Sequence, residues 1–203
     1  MQQDHAPSVA IVLIAFSTSA GVHLIGARNP DRHHAGHASV PIPSCRQSAS
    51  LIVLGSTLVL DNKRVSILGN PGIVLTGNDL VRPITISAAQ QVSFSDLIIQ
   101  RGAGGYGAGI LSAGILALTD VVLRNKHASN RGGALFVSAG RCALLRVEFS
   151  ENSAVADGGA LMDVGTGACI ADSRLLNNIS TQSVATQSGQ ASFWVAPSGQ
   201  PSF

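Results

Sequence analysis

Between residues 90 and 180 apolar positions recur in quartets. With Ile99, Leu123, Phe149 and Leu175 as equivalent anchors, the copies stand 24, 26 and 26 residues apart. Two residues before the anchors are Leu97, Val121, Val147 and Ser173; five before are Phe94, Leu118, Leu144 and Ile170; seven before are Val92, Leu116, Cys142 and Ala168. Each pair has the two-residue spacing of one strand face, and the step of three between pairs shifts the parity. The pattern therefore predicts two short strands meeting at a corner. A second block marks the same period, since Gly132-Gly133-Ala134-Leu135 returns as Gly158-Gly159-Ala160-Leu161, with Gly107-Ala108-Gly109-Ile110 as a degenerate earlier copy. One such unit cannot bury a core, but stacked units bury a continuous one. The predicted fold is an all-β parallel solenoid over residues 51–180, about five coils of ~25 residues. Leu58/Leu60 and Val65/Ile67 are expected to form the strand pair of an additional coil, with a longer corner from Asp61 to Arg64.

Composition narrows the alternatives. Of 203 residues, 45% are hydrophobic but only 4% aromatic and 12% charged. Glu148, Glu151, Lys63 and Lys126 are the only Glu and Lys, which leaves nothing to surface amphipathic helices. A net charge of +2, without a basic run or interleaved aromatics, excludes a nucleic-acid footprint. The Leu/Asn signature of leucine-rich repeats is absent, and Gly102 to Gly109 lacks the Gly-Lys-Ser/Thr ending of a phosphate loop.

The ends differ from the repeat. Val9 to Phe16 is an apolar run followed by small residues, which suits a signal peptide over 1–20 cleaved after Ala20, against an ordinary buried strand as the alternative. It is too short to span a bilayer, so no transmembrane segment is expected. Residues 21–50 read as a linker, loop or N-terminal cap, with His33, His34 and His37 in a solvated stretch rather than a metal site. Residues 181–203 read as an irregular tail. Cys45, Cys142 and Cys169 are an odd number without CxxC spacing, and strand alternation puts Cys142 inside and Cys169 outside.

Two polar columns accompany the anchors. Three residues before them, at the corner, stand Asp96, Asp120, Arg146 and Asp172, with Arg146 placed to neutralise its acidic neighbours. Asp suits a turn with unusual dihedrals, so this column is assigned to structure. Three residues after the anchors stand Gly102, Lys126, Asn152 and Asn178, where Asn can form an amide ladder between coils. Asn178-Ile179-Ser180 is also an N-glycosylation acceptor if the chain enters a eukaryotic secretory route.

Phe149-Ser150-Glu151-Asn152 followed by Gly158-Gly159-Ala160-Leu161 resembles the paired FxxN and GGA(I/L/V) motifs of the polymorphic outer membrane protein repeat, over about residues 90–180. The preceding copy departs from it with Leu123-Arg124-Asn125-Lys126 in the FxxN slot. The resemblance implies a right-handed parallel β-helix of the pectin-lyase-like type, exported to the cell surface and adhesin-like. The same fold type hosts polysaccharide lyases and glycoside hydrolases, but neither an Asp-Asp pair nor a Gly-His-Gly segment occurs. The available catalytic set is Asp157 and Asp163 around the Gly158-Gly159 block, with Arg131 or Arg141 as base and calcium as the cofactor of a lyase. Turn and strand-end roles for both aspartates are preferred. The expected function is a secreted or surface binding module without a catalytic site or cofactor, its partner a glycan or surface protein. A carbohydrate-active enzyme and a fragment of a larger repeat protein are the alternatives.

Overall fold

The computed structural model describes residues 50–61, 64–69 and 72–181, with the backbone of three further strands, Val9–Val12, Ala27–Arg28 and Phe193–Val195. None of the described residues is helical, and no helix among them could cross a membrane. The chain winds into a β-solenoid of about five coils of ~26 residues, each coil a circuit of up to four strand faces.

One coil shows how the sequence makes the circuit. Strand Gln91–Gln100 begins on face I, bends at Asp96, and continues on face II. The chain turns again at Arg101 and Gly102, runs along face III as Ala103–Tyr106, and passes a glycine-rich turn to face IV as Ile110–Ser112. Strand Ile115–Arg124 then starts the next coil directly beside the first, with Leu116 against Val92, Leu118 against Phe94 and Leu123 against Ile99. Every inter-coil pair is parallel, so equivalent residues lie one above another at ~4.8 Å per step.

The anchors form one interior column, Ile99, Leu123, Phe149 and Leu175. The first three are no more than 1% exposed, as are Leu116, Leu118 and Val121 beside them. Leu175 and Ile170, in the last coil, pack against this core but are only half-buried. Burial of each large apolar side chain contributes roughly 1.5–3 kcal/mol. A second interior column, Ile84, Ile110, Leu135 and Leu161, comes from face IV and is fully buried. It is the residue following each Gly-rich block that fills it.

The first described coil is phased differently from expectation. Val65 and Ile67 pair with Val92 and Phe94, so they belong to face I rather than to the second strand of a corner. Leu58 and Leu60 lie on face IV against Ile84 and Ile86, and the true anchor equivalent of Ile99 is Leu75. Face IV has the same apolar alternation as face I, and spacing alone does not distinguish them.

Both termini contribute strands. Val9–Val12 pairs in parallel with Arg64–Leu68, and Ala27–Arg28 adds to it antiparallel. Cleavage after Ala20 would remove the first of these. Phe193–Val195 extends face IV beyond Leu161–Asp163. His33, His34, His37 and Cys45 lie outside the described residues.

Candidate functional site

The first corner holds Asp96, Asp120, Arg146 and Asp172, all with left-handed backbone at φ +50° to +56°. Asp tolerates that conformation through its short polar side chain, whereas Arg146 has no such advantage. Its compensation is geometric: Arg146 Nε donates to Asp120 Oδ1 at 2.7 Å and an amino nitrogen donates to Oδ2 at 2.7 Å. The hydrogen bond from Arg146 holds the Asp120 carboxyl below its ordinary range. Arg146 is correspondingly raised by Asp120, with the charges of Asp172 and Asp96 adding to the effect. This corner lies on the surface, its Arg146 and Asp120 side chains about half exposed.

The second corner has a left-handed residue at Arg101, Asn125, Glu151 and Asn177, φ +49° to +55°, and then turns the next side chain inward. Asn152 and Asn178 are 1% and 2% exposed. Asn152 Nδ2 donates to Leu123 O and to Asn178 Oδ1, both at 2.8 Å, and Asn178 Nδ2 donates to Phe149 O at 2.8 Å. The expected amide ladder is thus an interior cap on the anchor carbonyls. Asn178 is not an accessible glycosylation acceptor in this fold: its amide nitrogen is engaged, and the closed coil leaves no room for a glycan.

The catalytic set is not brought together. Asp157 lies at the junction of faces III and IV, where its Oδ2 forms an ion pair with Arg131 Nε at 3.2 Å. Asp163 instead points inward, 1% exposed, in register with Ser112 and Val137. Its Oδ1 accepts the Gly165 N–H at 2.8 Å, closing the turn after the strand, while Oδ2 is buried without a hydrogen-bond partner. Burial raises its carboxyl, opposed by the Gly165 hydrogen bond. Arg131 is held by Asp157, and Arg141 is exposed at the start of the face I strand Arg141–Leu145. Two carboxylates on opposite sides of the wall cannot flank one glycosidic bond. Cys142 is buried, its thiol pushed up to about 12 by desolvation, then by the charges of Asp163 and Cys169, which disfavours the thiolate. Cys169 is exposed on the other side of the wall, and the two do not bond. Among the described residues no group of three or more His, Cys, Asp and Glu could hold a metal.

What the structure does assemble is an edge between faces III and IV. Tyr106, 41% exposed, is the register partner of Arg131 and meets Phe136 edge to face with ring centroids 5.0 Å apart. Asn130 Nδ2 donates to the Tyr106 hydroxyl at 2.7 Å. From the preceding coil Arg82 Nε donates to Gly107 O at 2.9 Å and Tyr106 O at 3.2 Å. Partial burial lowers the Arg82 guanidinium from its ordinary value, though not enough to discharge it. Gly107, Gly132 and Gly158 all take positive φ and allow the turns to lie against Phe136 and Met162. The edge thus carries Arg82, Tyr106, Arg131 and Asp157 from four successive coils. The apolar quartets do not single out Arg82, Tyr106 or Asn130, although the separations 82 to 106, 106 to 131 and 131 to 157 follow the coil period.

No protein-family model matches the chain, and neither does any curated protein or solved structure compared with it.

Proposed function

We propose that this chain is a non-catalytic binding module that takes a glycan along the face III–IV edge, exported to the cell surface or beyond like the polymorphic outer membrane protein repeats it resembles. The observation that carries this reading is the edge itself. Tyr106 offers a rigid, half-exposed ring, anchored by Phe136 below and Asn130 at its hydroxyl. A ring held in this way gives contact area at little entropy cost. Arg131 and Asp157 flank it with exposed hydrogen-bonding groups of both polarities, suited to sugar hydroxyls. The apolar run Val9 to Phe16 with its small-residue sequel supports export.

Binding to a panel of immobilised polysaccharides tests the proposal. Tyr106→Ala and Arg131→Ala should each weaken a positive interaction about tenfold or more, which is ~1.4 kcal/mol, at unchanged melting temperature. Binding that survives both substitutions removes the edge as the site. Polygalacturonate with calcium separates the enzymatic alternative: formation of unsaturated uronate, abolished in Asp157→Ala, would replace the binding reading with a lyase.

A further inference from the structure

Lys126 occupies the ladder position in the coil before Asn152, and it is 2% exposed. Its Nζ donates to Ile99 O, the anchor carbonyl equivalent to those capped by Asn152 and Asn178, and to Arg124 O at 3.3 Å. A lysine amine therefore does the work of an amide, inside the wall.

Space for it comes from one residue. Register places Gly109 where the two following coils have Ala134 and Ala160 and the preceding one has Pro83. A Cβ on Gly109 would collide with Lys126 Cε and Cδ and would also stand 2.7 Å from the Ala134 carbonyl oxygen. Lysine is longer than asparagine, and the methyl group that the repeat carries at this point is missing.

Among the described residues no carboxylate forms an ion pair with Lys126. The strands packed around Lys126 present Arg124 as the charged neighbour; Gln100 and Asn152 are neutral, and His127 faces outward to Ser153. Burial first, then Arg124, pulls the amine well below its ordinary value. An unpaired buried cation is costly, and the interior disfavours the charged form.

We infer that Lys126 and Gly109 form a matched pair that makes this coil junction a proton-operated latch, closed when the amine is neutral and loosened when it must be charged. Lys126 leads directly into strand His127–Arg131, so this strand is the part released. The inference is independent of any ligand. Its sign follows from linkage: the unfolded lysine titrates near 10.4 and the folded one lower, so between the two the unfolded chain binds more protons. Stability rises with pH through that window and falls as pH drops.

Denaturant unfolding between pH 6 and 10.5 tests the latch. The wild-type unfolding constant should fall with rising pH by up to about tenfold per unit within the window. In Lys126→Asn/Gly109→Ala, which installs the residues of the following coils, that slope should vanish relative to wild type. Gly109→Ala alone should lose stability, and the double variant should regain it. An unchanged pH slope in the double variant, or strictly additive effects of the two single changes, overturns the inference. If Gly109→Ala does not fold, the slope comparison between wild type and the double variant still decides.

Discussion

The two corners of each coil meet the same backbone demand with opposite chemistry. At the first, the left-handed residue is itself the one facing water, and Asp96, Asp120, Arg146 and Asp172 occupy it with little regard to sign. At the second, the left-handed residue sends its successor inward, and Gly102, Lys126, Asn152 and Asn178 are all buried. Water screens the first column, so its charges interact weakly and a cation can replace an anion. Nothing screens the second. There the asparagine amide nitrogens are spent on the anchor carbonyls, although Asn152 Oδ1 is left without a hydrogen-bond partner, and a residue that differs in length, Lys126, is accompanied by a change across the interior at Gly109. The difference teaches that a departure in the dry column is matched by a second change across the interior, whereas a departure in the wet column needs only an opposite charge beside it.

The strongest way to break that comparison is to charge the dry corner. Asn152→Asp keeps the shape but loses the donor to Leu123 O and faces the Asn178 carbonyl oxygen with a carboxylate. Denaturant unfolding at pH 7 should show a loss of about 3–5 kcal/mol, the cost of an uncompensated buried charge. Asn178→Ala, at the ladder's end, removes the donor to Phe149 O and the acceptor of Asn152 N–H. Its loss should be smaller, about 1–3 kcal/mol, because it leaves neutral groups unsatisfied and buries no charge.

Asp163 sharpens the comparison by showing an acidic group on the dry side. Its raised carboxyl means that the native state binds more protons than the unfolded one between the ordinary aspartate value near 3.9 and the folded value. Stability therefore falls as pH rises through that window and stays reduced above it. Asp163→Asn preserves an oxygen for the Gly165 N–H and cannot ionise. It should be more stable than wild type at pH 7 by about 1 kcal/mol and lose that advantage at pH 3. Chemical denaturation at both pH values checks the crossover.

Much of this was legible in the chain. The anchors and their partners at minus two, minus five and minus seven are spaced by strand geometry, and the structure stacks them without slippage from Gln91 onward. The inside–outside placement of Cys142 and Cys169 follows from the same alternation. Legibility ends at the turns. Parity cannot be carried through the loop between faces III and IV, so Asp163 reads as easily outside as inside. The glycosylation triplet at Asn178 is a local pattern, and its accessibility depends on which way a left-handed neighbour turns it. Face IV in the first coil mimics face I because both alternate apolar residues. Strand Val9–Val12 joins Arg64–Leu68 across more than fifty residues, a separation unrelated to the coil period.

The smallest effect expected comes from the wet corner, and it separates charge from conformation. Asp120→Asn retains a side chain at home in left-handed backbone but removes the ion pair with Arg146. Its stability should drop only slightly at low salt and approach wild type at high salt, as an exposed pair is screened. Asp120→Val keeps neither the charge nor the tolerance for φ +54°, since a β-branched residue is strained there, and should lose more at every salt concentration. In acid the wild-type pair should weaken as the Asp120 carboxyl, held below its ordinary range, is protonated, whereas Asp120→Asn lacks this acid limb. If Asp120→Asn costs as much as Asp120→Val and salt leaves the loss unchanged, the first corner is held by charge as the second is held by hydrogen bonds. The distinction between wet and dry columns would then fail at the point where it is easiest to measure.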